Sequence, residues 1–111
     1  MTKTTKVAVL LAVSGLMAAA GASAADYEAG KKKAGEVCAA CHGPNGDKSM
    51  TPDIPILAGQ RFDYLKAALN QYKKKERTNP MMMPMAEPLT KQDIENVAYF
   101  FSKQAGLKVK Y

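Results

Sequence analysis

The chain of 111 residues has no tryptophan, a single histidine (His42) and only two cysteines, Cys38 and Cys41. Each scarcity excludes a chemistry. One histidine cannot furnish an HExxH zinc site or a bis-histidine centre. Two cysteines cannot build the several-bridge framework of small secreted scaffolds, and a bridge from 38 to 41 would close too short a loop to constrain the unfolded chain much. Acidic residues are the minority, 10 against 16 Lys+Arg, for a formal charge of +6. The length suits one domain and excludes an enzyme with separate cofactor and substrate domains. With 47% hydrophobic and 23% charged residues, the composition is that of a globular chain.

Long hydrophobic runs are scarce too. Val7 to Ala20, broken by Ser14 and Gly15, is shorter than the ~20 residues that span a bilayer. Lys3 and Lys6 precede it, and Ala22-Ser23-Ala24 follows it. A basic start, an apolar centre and small residues at the end form a secretory signal peptide pattern. The expected division is a cleaved leader at 1–24 and a mature domain at 25–111, exported to the periplasm and not membrane-spanning. A domain this small buries only ~60% of its unfolded surface. Without a disulfide staple, something else is expected to fill its interior.

Three helices are expected. Asp26 to Ala40 carries Tyr27, Gly30, Ala34 and Val37 at helical spacing, with Lys31, Lys32 and Lys33 outside. Gly43 to Gln60 is punctuated by glycine and proline and reads as a long ordered loop. Phe62 to Lys75 places Phe62, Leu65, Leu69 and Tyr72 on one stripe. Glu76 to Pro88, with Pro80, Pro84, Pro88 and four methionines, is expected to break helical order. Thr90 and Asp93 then form an aspartate version of the capping box. The helix that follows buries Ile94, Val97, Ala98 and Phe101 and is expected to stop at Gly106. No segment alternates as a strand does, so the fold class is a small all-α domain.

Cys38-Ala39-Ala40-Cys41-His42 is CxxCH, the covalent attachment signature of a c-type haem. Two cysteines three positions apart at a helix end reach the two vinyl groups of one porphyrin as thioethers, and the next residue places its imidazole beneath the iron. A thiol redox CxxC belongs beside a βαβ pattern, which is missing here. A structural zinc wants four ligands, and Cys38, Cys41 and His42 supply at most three. The expected cofactor is one haem c with its iron.

The same residues carry a family resemblance. Cys38 to His42 with Gly43-Pro44-Asn45-Gly46, Pro55-Ile56-Leu57-Ala58-Gly59-Gln60, Tyr64-Leu65, Arg77-Thr78-Asn79 and Met85-Ala86-Glu87-Pro88-Leu89-Thr90 resemble a class I cytochrome c. Residues 26–105 are similar to one half of the bacterial diheme periplasmic cytochromes c. There is no second CxxCH, so this chain is expected to carry a single haem. The resemblance implies a class I cytochrome c fold, three main helices and long loops around one covalent haem, with His/Met axial ligation. The residues also argue for a methionine, because no second imidazole exists and Met81, Met82, Met83 and Met85 share one proline-stiffened stretch. Position within the family pattern points to Met82 beside His42, with Met81 and Met83 as rivals. The resemblance further implies that the Pro55 carbonyl orients His42, that Leu57, Leu65 and Leu69 line the haem, and that Tyr64, Arg77 and Asn79 approach the propionates. It also brings Gly30 close to Tyr99 or Phe100.

The function these expectations describe is one-electron transport in a respiratory chain, without enzymatic turnover. The partners are redox proteins: a donor reductase or dehydrogenase and an acceptor oxidase or reductase. Lys31, Lys32, Lys33, Lys73, Lys74 and Lys75 either steer the carrier to an acidic partner or form solvated helix faces. Nucleic acid is not expected, since the lysine runs lack interleaved aromatics. Two alternatives stay open at this point. One is an open-site haem enzyme or gas sensor; the other is a module binding copper through Met81 to Met85.

Overall fold

Asp26 starts the first helix by accepting a hydrogen bond from the Ala29 N–H at 3.0 Å, with Glu28 adding negative charge to the first turn. The computed structural model describes residues 24–106 together with positions 8 and 15. Except for Ala8, Gly15 and Ala24, the expected leader lies outside the described residues. The helices are α1 (Tyr27–Val37), α2 (Ala39–His42), α3 (Phe62–Lys73), α4 (Met82–Ala86) and α5 (Lys91–Ser102). Among the described residues no strand forms, so the fold is all-α.

The first helix does not run on to Ala40 as expected. Cys38, at φ −105°, separates α1 from the single turn of α2. The Cys41 and His42 N–H groups both fold back onto the Cys38 carbonyl, at 3.2 and 3.0 Å. That tight turn redirects the chain and leaves His42 buried.

α1 crosses α5 at very short range. A Cβ on Gly30 would stand 2.0 Å from the Asn96 carbonyl oxygen and 3.1 Å from the Phe100 Cβ, so only glycine fits the crossing. The Tyr27 ring lies over the same junction, 5.3 Å from Phe100 and 6.4 Å from Tyr99. Asn96 is buried here, and its Oδ1 accepts from the Asp26 N–H and the Gln92 side-chain amide, each at 2.8 Å. The bond from Asp26 fastens the start of α1 to α5, and together the two satisfy a polar group that would otherwise be costly to bury.

α5 carries the core. The capping box forms, with Asp93 N–H to Thr90 Oγ1 at 3.0 Å and Thr90 N–H to Asp93 Oδ2 at 2.9 Å. Ile94, Val97, Ala98 and Phe101 are buried as the spacing predicts, and Phe100 joins them. Ala34, Leu65, Val97, Ala98, Phe100 and Phe101 make one cluster against which Cys38, Leu57, Phe62 and Leu69 pack half-buried. Burying each large side chain contributes about 1.5–3 kcal/mol. The stripe expected on α3 is thus only partly covered, with Leu65 alone fully buried.

Two helix ends and one added helix also differ from expectation. α3 stops at Lys73, and Lys75 adopts φ 61°. Lys75 N–H then bonds to Tyr72 O at 3.2 Å and Glu76 N–H to Gln71 O at 2.9 Å, the paired closure of a Schellman motif with lysine where glycine is usual. α5 ends four residues before Gly106, whose absent side chain serves another purpose. A Cβ there would meet the Ala58 carbonyl oxygen at 2.2 Å. The methionine segment also contains a helix, α4, because Asn79 caps it. Its Oδ1 accepts from the Met81 and Met82 N–H groups at 2.9 and 3.0 Å, and its carbonyl accepts from Met83 N–H at 3.0 Å. Pro80 lies in the turn between Asn79 and α4, where its missing N–H does no harm.

The loop after Gly43 is ordered by long-range backbone bonds. Leu57 and Ala58 N–H groups bond to Gly46 O at 2.8 and 3.1 Å, and Gly59 N–H reaches Phe101 O at 3.0 Å. Those contacts hold Pro55 against α2.

Candidate functional site

His42 is 6% exposed, and its Nδ1 lies 2.8 Å from the Pro55 carbonyl oxygen. A carbonyl can only accept, so Nδ1–H donates, and Nε2 is the ring nitrogen left to face a metal. The bond spans 13 residues of chain, from α2 across the loop. α2 and its closing glycine orient the ring from one side, with Gly43 N–H on Ala39 O at 2.9 Å. Met50 N–H on Cys41 O, at 2.9 Å, ties the loop down from the other.

Cys38 and Cys41 are both unpaired and half-buried, on either side of Ala39-Ala40. Burial pushes the Cys38 thiol up to about 11. A free redox CxxC needs a stabilised thiolate, and burial does the opposite at Cys38. Cys38 instead packs against the main apolar cluster beside Leu57 and Leu69. Among the described residues no group of three or more His, Cys, Asp or Glu is placed to hold a bare metal ion.

The methionines separate by burial. Met82 and Met83 are half-buried on α4, whereas Met81 is 61% and Met85 45% exposed. Met50 is farther out still, at 69%. Asn79, expected near the propionates, spends its Oδ1 on the start of α4. Tyr64, in the first turn of α3, comes together with Arg77 from the segment after that helix. The Tyr64 hydroxyl is the main cause raising the Arg77 guanidinium above its ordinary value, and Tyr72, whose ring lies 5.0 Å below the guanidinium, adds to it.

The lysines expected on the surface divide into two groups. Lys31, Lys32, Lys74 and Lys75 are exposed, whereas Lys33 lies 4.0 Å from Asp93 and Lys73 turns its Nζ onto the Glu87 carbonyl at 2.9 Å and the Leu89 carbonyl. Lys73 was counted in sequence as a surface charge. No local signal reveals its contact, because the partners lie 14 and 16 residues away. The Asn79-Pro80 pair, by contrast, is a legible helix start that the density of prolines obscured.

The residues present suit a c-type haem. Two free thiols at CxxCH spacing, a buried imidazole with a fixed tautomer and half-buried thioethers are the donor types such a group takes. Ser49 Oγ, in the loop behind Cys41, is buried without a hydrogen-bond partner among the described residues, which leaves a donor for an additional polar group.

Comparison with known proteins gives a consistent result. Residues 27–104 match the family model described as cytochrome c. The chain is 43% identical over 86 residues to cytochrome c4 of Thiocapsa roseopersicina, covering 78% of this chain and 44% of that one. It is 37% identical over 84 residues to cytochrome c-554(548) of Halomonas halodenitrificans, covering 73% of this chain and 99% of that protein. Its fold matches reduced recombinant cytochrome c4 from Pseudomonas stutzeri with a TM-score of 0.69 and 40% identity, over 76% of this chain and 48% of that one. The chain therefore spans about half the length of the cytochromes c4 that it matches.

Proposed function

Because the chain belongs to the cytochrome c family, whose members carry covalent haem c, we propose that it is a one-electron carrier holding a single haem through Cys38 and Cys41, with His42 and Met82 as axial ligands. The observation that carries this reading is the 2.8 Å bond from His42 Nδ1 to the Pro55 carbonyl. It fixes a buried imidazole with its other nitrogen available, immediately after two unpaired thiols. Bound haem supplies an iron that alternates between ferric and ferrous states, and a thioether opposite an imidazole favours the ferrous one.

The chain's own residues supply the rest. Pro55 O keeps the His42 ring from rotating. Leu57, Leu65 and Leu69 provide an apolar wall that excludes water and favours the less charged state. Met82 is the preferred thioether because the family position and its partial burial agree, while Met81 and Met85 face solvent. With His42 and Met82 both holding the haem iron, no position would be left for a substrate, and the chain would act as a carrier and not an enzyme. Residues 1–24 act as an export leader, placing the mature domain in the periplasm beside redox partners that donate to it and accept from it. Brief, weak docking suits that role. The exposed lysines, Lys31, Lys32, Lys74 and Lys75, are the available steering charges.

The test is the absorption spectrum of exported holoprotein, reduced and oxidised, with an alkaline pyridine assay for haem type. A c-type haem and a weak far-red sulfur-to-iron band in the ferric form are expected. Met82→Ala should lose that band and Met83→Ala should keep it. A band that survives Met82→Ala refutes the ligand assignment, and protein that folds without haem refutes the function.

A further inference from the structure

The groove between α3 and α5, about 470 Å3 in volume, gathers Lys66, Lys73, Lys74 and Lys91. Two of the four are already engaged. Lys66 pairs with Glu95 at 2.8 Å, and Lys73 reaches past the groove to the far end of the methionine segment. An ammonium placed on two backbone carbonyls, within half-buried surroundings, is an unusual use of a surface lysine. Both carbonyls need a partner. Glu87 closes α4, and Pro88 between them has no N–H to continue the helix. A positive charge here also opposes the negative end of the α4 peptide dipoles.

The opposite end of the same segment is held as firmly. Asn79 Oδ1 accepts from both the Met81 and Met82 N–H groups. The seven residues from Pro80 to Ala86 are thus anchored before the first methionine and after the last. One anchor is a side chain within the segment's own cap, and the other comes from α3.

We propose that Asn79 and Lys73 are positioning residues for the thioether ligand: together they clamp α4 at both ends and keep its methionine from leaving the iron. This rests on the His/Met reading above. An α4 so short has little helical stability of its own, since isolated helices below ~12–15 residues are marginal. Without the clamps, only the coordinate bond would oppose loss of the sulfur. With them, the segment must also break charge-assisted bonds at one end and a cap at the other.

Imidazole titration of the ferric holoprotein measures the clamp directly, because exogenous imidazole binds only when the sulfur has left. Its apparent dissociation constant scales inversely with the fraction of detached protein. Lys73→Met should raise that fraction roughly ten-fold or more, the usual scale for hydrogen bonds from a charged donor, and lower the apparent constant by the same factor. Asn79→Ala should act in the same direction. Lys73→Arg and Asn79→Asp, which keep the donor and the acceptor, should titrate like the parent protein. Lys74→Met removes an equal charge one residue away and should change nothing. Should Lys73→Met yield no holoprotein, Lys73→Gln and Asn79→Ala provide the same comparison. Unchanged imidazole binding in Asn79→Ala together with Lys73→Met or Lys73→Gln overturns the clamp. The ligation reading fails separately: the parent protein would then lack the far-red band, or Met82→Ala would bind imidazole no more tightly than the parent.

Discussion

Replacing Gly30 and Gly35 with alanine, one at a time, should give opposite signs within one helix. At Gly30 the new Cβ would stand 2.0 Å from the Asn96 carbonyl oxygen, whereas real Cβ atoms essentially never approach closer than 3.0 Å. The obstacle is backbone, so no side-chain rotation relieves it, and α1 must back away from α5 by about 1 Å. A gap of that size forfeits roughly a quarter to a half of the dispersion energy between the facing atoms. Those atoms include Phe100 and the Ala34 side of the core. Overpacking costs about 1–3 kcal/mol, and a backbone obstacle belongs at the top of that range. Alanine returns about 1 kcal/mol of helix propensity, which leaves a net loss of about 2 kcal/mol. Gly35 has nothing within 4 Å and faces solvent, so Gly35→Ala keeps only the gain. For a domain of this size 1 kcal/mol moves Tm by about 4–8 °C. Thermal unfolding of the holoprotein, followed by circular dichroism, should therefore show Gly30→Ala lower by about 8–16 °C and Gly35→Ala higher by about 4–8 °C. If both substitutions raise Tm, the α1–α5 crossing is not tight and the packing argument is wrong.

Lys75→Gly should stabilise the protein by about 0.5–1 kcal/mol, because a left-handed conformation costs a lysine about 1–2 kcal/mol and glycine returns part of that as unfolded-state entropy. A lower denaturation midpoint in this variant would count against the Schellman assignment. Asp93 gives a pH-dependent counterpart. Its hydrogen bond from the Thr90 backbone, opposed by partial burial and aided by the Thr90 hydroxyl and by Lys33 and Lys73, holds its carboxyl below the ordinary 3.8. A depressed folded-state value means stability that is complete above the unfolded value and lost as pH falls through the folded one. Asp93→Asn should be less stable than the parent at pH 7, with the difference closing as denaturant titrations move below about pH 3.8. A difference that stays constant across that window would show that the carboxylate charge contributes nothing.

The parts of this protein written in its sequence are those whose physics is local. CxxCH states its chemistry through a spacing of three residues and an adjacent imidazole. The Thr90/Asp93 box and the buried stripe of α5 follow from a repeat of 3.6 residues, and the exclusion of zinc and disulfide frameworks follows from counting. The α3 stripe was legible in part, since Phe62 and Leu69 lie at its half-covered edge. α4 was legible but missed, because Asn79-Pro80 is a helix start in a stretch whose prolines read as breakers. The family resemblance added Pro55, a residue whose chemistry lies in a carbonyl and leaves no side-chain signal.

Only the tertiary structure decided the contacts made across long stretches of chain. It set the His42–Pro55 bond, which selects the imidazole tautomer, and it broke the first helix at Cys38 so that the imidazole turns inward. It took Lys73 out of the set of free surface charges and gave Gly106 a packing role against Ala58 in place of a helix stop. It also buried Asn96, which no spacing argument marks as interior, by bringing the Asp26 N–H from the start of α1 onto its side chain. A side chain's type is local information, but the partner that satisfies it depends on how the chain closes on itself.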